Sequence, residues 1–371
     1  MRMEIIFMGT PEFACSSLLT LIRSKHDIVG VITQPDRRRG RGMKVSFSPV
    51  KELSLKNNLN IYQPLNINDP EFINFLRKIS PDLIVIVAFG RILSKEVLKL
   101  PKDGCINLHA SLLPKYRGAA PIPWAILAGE ERSGVTTFYL SEEVDSGDII
   151  LQREEEIRKD DTTATLSRRL AETGAELLIE TIAKIEGKEA PRIPQDKGRA
   201  TYAPRLKKED GLIDWKRSAS QIERFVRAMD PWPGAYTYVK VKSKNEKVPR
   251  EIQRISGTKS SESFQDSRGK VKTEERKNIL KIWKAEIAYR VSHIADRKFQ
   301  PGEVIDITKE GMVVVCGEGL LLVKEVQPAG KKRMSASSFS SGYRIKRGDI
   351  LNNKSEIQKP NALRLHWRAH K

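Results

Sequence analysis

Residues 4–33 read EIIFMGTPEFACSSLLTLIRSKHDIVGVIT, and their pattern decides the fold. An apolar strand at residues 4–8 runs into Gly9-Thr10-Pro11, where Pro11 suits the first turn of a helix and Thr10 its N-cap. A helix to about Arg23 follows, with Phe13, Leu18, Leu21 and Ile22 available for burial, and a second strand covers 28–33. Strand, helix and strand in that order open an α/β fold with a doubly wound, mostly parallel, Rossmann-like sheet. No G-x-G-x-x-G follows the first strand, so a dinucleotide cofactor is not supported.

Working outward, residues 82–88, DLIVIVA, are nearly all apolar and β-branched, as a central parallel strand covered on both faces requires. Phe89 and Gly90 end that strand at the carboxyl edge, where open α/β sheets bind ligands. Shorter strands are expected at 60–62, 104–109 and 134–140, and helices at 49–57, 70–79, 94–100, 120–128 and 162–187. In the last helix Leu166, Leu170, Leu177, Leu178 and Ile182 recur at helical spacing. Residues 34–49 read as an extended loop around RRRGRG.

Chemistry-bearing residues gather at 104–121, GCINLHASLLPKYRGAAP. If a strand ends at His109, Asn107 and His109 share one face, because alternate residues do. The loop that follows is rich in Gly, Ala and Pro, so another molecule can lie close to its backbone. After the next strand comes EEVDSGDI at 142–149, with Asp145 in a turn-rich context. An amide, an imidazole and a carboxylate on adjacent strand ends are a workable acyl-transfer set.

The runs INLHA at 106–110, SLLPKYRGAAPI at 111–122 and VDSGDI at 144–149 resemble the 10-formyltetrahydrofolate-dependent formyltransferases. Further blocks extend the resemblance: IIFMGTPEFA at 5–14, TQPDRRRGRGMK at 33–44, SPVKEL at 48–53, QDKGRATYAPRLKKEDGLIDW at 195–215, DPWPGAYT at 230–237 and VQPAGKKRMSASSF at 326–339. Several lie outside the part shared across acceptors, and they resemble the members that formylate methionine on initiator tRNA. The resemblance covers roughly 3–240 and 300–350. It implies 10-formyltetrahydrofolate as co-substrate, initiator methionyl-tRNA as partner, no metal and no obligate protein partner. It implies Asn107 on the formyl oxygen, a cationic His109 stabilising the oxyanion, and Asp145 orienting His109 and assisting proton removal. Ser111, Leu112, Leu113 and Pro114 match the folate-contacting SLLP, with Phe89 and Gly90 as further candidates for the pterin pocket. Arg37, Arg38, Arg39, Arg41 and Lys44 match a basic loop that enters the acceptor end of the tRNA. Two departures stand out: Pro123-Trp124 after the API tripeptide, and an inserted-looking segment at about 256–284.

The chain has 371 residues and a formal net charge of +19. Residues 36–51 hold six Lys/Arg against one acid, 240–284 hold fourteen against six, and 331–371 hold eleven against two. These segments carry the whole positive excess, which is the footprint of a polyanion partner such as nucleic acid. No apolar run is long enough to span a bilayer, and the amino terminus does not read as a secretory signal. Cys15, Cys105 and Cys316 lack metal-ligand spacing and fit a reducing cytoplasm. We therefore expect a cytoplasmic protein with a catalytic domain at 1–187 and a basic linker at 188–211. A smaller, OB-like β-barrel at 212–352 would bind tRNA, and a basic tail at 353–371 would follow. Short alternating strands separated by Gly turns in 302–327 suggest that barrel. Two other functions fit less well. A small sugar-nucleotide or ribonucleotide acceptor would need neither the basic loop nor the basic second domain. A non-catalytic RNA-binding protein would not need Asn107, His109 and Asp145.

Overall fold

In the computed structural model, which describes residues 2–39, 44–239, 279–288 and 298–351, the chain divides into two units, Met1–Arg205 and Leu206–Lys371. The first contains β1 (Glu4–Gly9), α1 (Phe13–Ile22), β2 (Asp27–Ile32), β3 (Arg37–Arg39), β4 (Lys44–Ser46), α2 (Pro49–Lys56), β5 (Ile61–Tyr62), α3 (Pro70–Ile79), β6 (Leu83–Val87), α4 (Lys95–Leu98), β7 (Cys105–His109), α5 (Pro121–Ala128), β8 (Arg132–Tyr139), β9 (Ile149–Glu156) and α6 (Thr163–Glu186).

Seven of these strands form one sheet in the order β5-β2-β1-β6-β7-β8-β9. The first five run parallel, while β8 and β9 continue antiparallel beyond β7. The strand order reverses between β1 and β6, which opens a crevice at their carboxyl ends. All five side chains of β6 are buried, and each such burial is worth about 1.5–3 kcal/mol, so this strand anchors the sheet. Alternation divides the core between two faces: Ile6, Met8, Ile84 and Ile86 join the Ile73, Leu76 and Val97 side of α3 and α4. On α6, a Cβ at Gly174 would stand 2.8 Å from Leu108 Cδ2, so glycine lets this helix lie against β7 directly behind His109.

Three local expectations fail for identifiable reasons. Thr10 does not cap α1, which begins at Phe13 after an N-cap Glu12 without a side-chain hydrogen bond. Thr10 Oγ1 instead accepts from the Gln34 amide at 3.4 Å. The basic loop expected at 34–49 contains a hairpin, β3 paired antiparallel with β4. The third concerns residues 149–156, for which no strand was expected; they form β9, whose alternate residues include Arg153 and Glu155 rather than apolar side chains. Elsewhere agreement is close: α3 spans 70–79 as expected, and Thr162 caps α6 in a capping box with Thr165.

The second unit contains α7 (Ala219–Ala228), β10 (Ala235–Tyr238), β11 (Ile279–Ala288), β12 (Val304–Ile307), β13 (Met312–Val315), β14 (Leu320–Pro328), β15 (Met334–Ser335) and α8 (Ala336–Tyr343). Its strands pair antiparallel throughout, in the order β10-β11-β14-β13-β12 with β15 on β14. Ile222, Phe225 and Val226 lie on one face of α7 and are buried. Residues 279–284, the end of the segment read as an insertion, lie in β11. Residues 256–278 and the tail from 353 lie outside the described residues. No described helix is long and apolar enough to cross a membrane.

Candidate active site

Strand β7 delivers Asn107 and His109 to one face at the carboxyl edge, with Asn107 half-buried and His109 only 6% exposed. The imidazole is held from two sides. Its Nε2 lies 2.9 Å from the Tyr116 carbonyl oxygen. A carbonyl can only accept, so Nε2 is the donor in this contact. Nδ1 faces Asp145 Oδ2 at 3.7 Å, which is beyond hydrogen-bond length and is an electrostatic contact. Asp145 Oδ2 itself accepts from the Gly118 amide at 2.8 Å. The Phe138 ring stands edge-on to the imidazole with centroids 6.5 Å apart.

Tyr116 is fixed at every polar atom. Its amide donates to Thr201 Oγ1 at 2.8 Å and its hydroxyl to Glu130 at 2.8 Å, while its backbone is left-handed with φ 59°. Burial first, and then the Glu130 carboxylate, push the phenol far above its ordinary pKa. It therefore stays protonated and serves as a strut.

The loop after β7 is braced by β8 and β9 and by one bond of its own. Thr136 Oγ1 donates to the Ser111 carbonyl at 2.6 Å and accepts from the Leu113 amide at 3.1 Å. Gln152 Nε2 donates to the Leu113 carbonyl at 2.8 Å, and Ser111 Oγ donates to the Lys115 carbonyl at 2.6 Å. Ser111 and Leu113 are buried, and Leu113 packs with Phe138 and Ile149. Leu112 lies against Gly134, and the Leu113–Pro114 peptide is cis. These side chains hold the loop in shape. Phe89 likewise points into the core, while its carbonyl accepts from Gln34 Nε2 at 2.9 Å and Gly90 is exposed with φ 75°.

The Asp145 turn is wedged against β8. Asp145 is left-handed with φ 50°, and a Cβ on Gly147 would stand 1.8 Å from the Tyr139 carbonyl oxygen. Gly147→Ala is therefore expected to push the turn, and Asp145 with it, out of position. Turnover per folded molecule should fall about tenfold or more, since misplacement on the ångström scale can cost a hundredfold. Steady-state rates on the purified variant, with wild-type values as the contrary result, check this.

Cys105 is the one thiol on β7. Burial pushes it up to about 12, so it is not a nucleophile at neutral pH. Among the described residues no group of His, Cys, Asp and Glu could hold a metal ion.

The β3–β4 hairpin is tied to the same edge. Arg37 donates to Gln34 Oε1 at 2.8 Å, and Gln34 reaches Phe89 as above. Lys51 pairs with Asp36 at 2.6 Å and Gln63 donates to Asp36 at 2.9 Å; these hydrogen bonds hold the Asp36 carboxyl below its ordinary range. Arg38, Arg39 and Lys44 lie on the hairpin strands, and Arg41 falls outside the described residues.

Sequence reasoning missed a further part of the site. Of residues 188–211, read as linker, 188–205 fall in the first unit. Thr201 and Ala203 pair with Pro114, Arg117 and Ala120 through backbone hydrogen bonds of 2.7–3.3 Å. Trp124, one of the departures in sequence, donates its indole N–H to the Pro204 carbonyl at 2.9 Å. The signal lay in the quoted block at 195–215, but backbone pairing leaves no apolar pattern to read.

Comparison with known proteins gives the class first. Residues 1–182 match the family model described as formyl transferase, and residues 205–344 match the formyl transferase C-terminal domain. A methionyl-tRNA formyltransferase of Caldanaerobacter subterraneus subsp. tengcongensis is 44% identical, over 94% of this chain and 100% of its own. One from Acetivibrio thermocellus is 41% identical, over 94% and 99%. The chain belongs to the methionyl-tRNA formyltransferase family. Among solved structures, an N-formyltransferase from Helicobacter canadensis, in complex with folinic acid and dTDP-3-aminofucose, matches with TM-score 0.56 at 19% identity, covering 86% of this chain and 98% of that one. HypX from Aquifex aeolicus in complex with tetrahydrofolic acid matches with TM-score 0.55 at 18% identity, covering 94% of this chain. This chain spans 48% of HypX, about half its length. At these identities the two structures speak for the fold alone.

Proposed function

We infer that the chain transfers a formyl group from 10-formyltetrahydrofolate to the amino group of methionine on initiator tRNA, in the cytoplasm. The observation that carries this reading is the near full-length kinship with methionyl-tRNA formyltransferases. It is supported by a buried imidazole between a carbonyl and a carboxylate at the carboxyl edge of the sheet. Two features suit a bound folate: an exposed Gly90 without a side chain at the end of β6, and a 111–114 loop whose shape is set by its hydrogen bonds before any ligand arrives.

When bound, 10-formyltetrahydrofolate supplies the formyl carbon, whose oxygen gains negative charge as the amine adds. Asn107 holds that oxygen with its side-chain amide. His109, protonated on both nitrogens at this step, sets its charge against the developing oxyanion. Asp145 balances the ring from the Nδ1 side and would take the amine proton, directly or through a water; that proton would pass to N10 as the C–N10 bond breaks, so that tetrahydrofolate leaves neutral at N10. Ser111, Leu112, Leu113 and Pro114, with the Phe89–Gly90 edge, shape the folate seat. Arg37, Arg38, Arg39, Arg41 and Lys44 meet the acceptor end of the tRNA, and the second domain, 212–352, binds its body.

The test is direct. Protein, 10-formyltetrahydrofolate and methionyl initiator tRNA are mixed, and formyl-methionine is sought, with elongator methionyl-tRNA and a sugar-nucleotide amine as competing acceptors. Preference for the sugar amine would replace this reading, and absence of turnover with every acceptor would remove it. The hairpin makes a finer prediction. Arg38→Ala should weaken both tRNAs alike and reduce the salt slope by about one contact. Arg41→Lys should cost about 1–3 kcal/mol of discrimination between the two tRNAs, because ammonium cannot pair bidentately. Formylation of both tRNAs over a salt series reads both effects; a purely solvated hairpin leaves them unchanged.

A further inference from the structure

One segment stitches the two halves of the site together. Ile193 pairs with Ile149, just after the Asp145 turn, through hydrogen bonds of 2.8 and 3.0 Å. Ten residues later the same segment pairs with Arg117 and Ala120. Between these two attachments stands Gln195, half-buried, with its amide satisfied on both ends. Its Oε1 accepts from Arg117 Nε at 3.0 Å and from a terminal guanidinium nitrogen at 2.6 Å. Its Nε2 donates to the Asp145 carbonyl at 2.9 Å and the Gly147 carbonyl at 2.8 Å.

The chemistry of these partners admits one kind of side chain. Arg117, 5% exposed, can only donate, and the two carbonyls can only accept. A group with an acceptor facing one way and two donors facing the other is an amide. Among the described residues Arg117 has no carboxylate partner, so Gln195 is what holds this buried guanidinium. Asp145 sits in a left-handed conformation, which costs free energy and persists only where surroundings over-determine it. The wall of β8 restrains the turn at Gly147, and Gln195 restrains it at both carbonyls. What is thereby fixed is the carboxylate that faces His109 Nδ1 and accepts from the Gly118 amide.

We propose that Gln195 is a positioning residue for the transfer reaction: through Arg117 and the carbonyls of residues 145 and 147, it holds the Asp145 carboxylate against His109. This rests on the reading of Asp145 given above. Gln195 touches neither the imidazole nor the reacting atoms, so it acts only through the turn.

Gln195→Glu separates this role from a merely structural one. The variant keeps the length of the side chain and turns the Arg117 contact into an ion pair, so the protein should melt within a few degrees of wild type. Its second carboxylate oxygen, however, faces two carbonyl oxygens, and the turn is released. Turnover should fall about ten- to a hundredfold, with KM for charged tRNA changed less than about threefold. In an Asp145→Asn background the same change should add little, because its effect is spent through Asp145. A readout independent of turnover is hydrogen exchange at the Gly118 amide, which should accelerate in Gln195→Glu. Wild-type exchange at Gly118 together with wild-type turnover overturns the proposal, and so does an equal loss of turnover in both backgrounds. If wild type itself transfers no formyl group, the functional reading fails, and unchanged Gly118 exchange then decides separately against Gln195.

Discussion

Replacing His109 by alanine is expected to lower turnover about a hundredfold or more, with folate and tRNA affinity nearly unchanged. The magnitude is scaled on the loss of one preorganised oxyanion donor, although His109 acts through its charge, both ring nitrogens having partners of their own. The affinity should hold because the ring, 6% exposed between Tyr116, Phe138 and Asp145, presents little surface to any substrate in its ground state. The substitution leaves the Tyr116 carbonyl without its donor, which costs about 1–3 kcal/mol of stability. Rates must therefore be taken per folded molecule. Asn107→Ala provides the cleaner companion: Asn107 is half-buried, and truncating it opens no comparable gap in the core. It too should lose about a hundredfold in turnover. Single-turnover rates at saturating substrates measure both. Near wild-type rates in either variant would remove that residue from the mechanism.

The reach of sequence reasoning here follows from what each element asks of its side chains. The parallel strands β1 and β6 are covered on both faces, so they need continuous apolar runs, and those runs are visible. Helices α3 and α6 declare themselves by spacing and by capping residues. Asn107, His109 and Asp145 are legible because the residue types are chemically specific and the first two share a strand face. Elements that depend on the backbone or on ion pairs are not legible in this way. The hairpin β3–β4 hides in a run of cations, which reads as loop. The segment at 193–203 is held by main-chain hydrogen bonds, for which any sequence without excess Pro would serve. Gln195 carries no pattern of its own; its meaning appears only when Arg117 and the 145–147 turn are seen on either side of it.

Strand β9 illustrates the same limit and leads to a stability prediction. Its side facing α6 is built from charges: Arg153 reaches Glu176, and Glu155 accepts from Arg169 at 3.1 Å. Arg169 is bound in turn by Asp161 through two hydrogen bonds of 2.7 and 2.8 Å. Asp161 also accepts from the Arg158 amide and from Thr165 Oγ1, both at 2.8 Å, so it ties the end of β9 to the first turns of α6. Burial of Asp161 would raise its pKa, but Arg169, the Arg158 amide and Thr165 outweigh it and hold the carboxyl below its ordinary 3.8. Asp161 is 4% exposed and Arg169 19%. Removing one partner of a buried, isolated pair costs about 3–5 kcal/mol, but Arg169 would keep Glu155 at 3.1 Å and the Glu156 carbonyl at 2.6 Å. Because Arg169 also keeps some solvent, Asp161→Ala should cost about 2 kcal/mol, lowering the melting temperature of the first unit by roughly 4–8 °C. The pH dependence has a definite sign. A carboxyl whose folded pKa lies below its unfolded value stabilises fully above about pH 4 and loses that contribution as pH falls through the folded pKa. The gap between wild type and Asp161→Ala should therefore be widest at neutral pH and close progressively below about pH 4. Calorimetric scans of both proteins between neutral and acidic pH measure it, and a gap that stays constant or widens on acidification would show that Asp161 contributes through packing rather than through its charge.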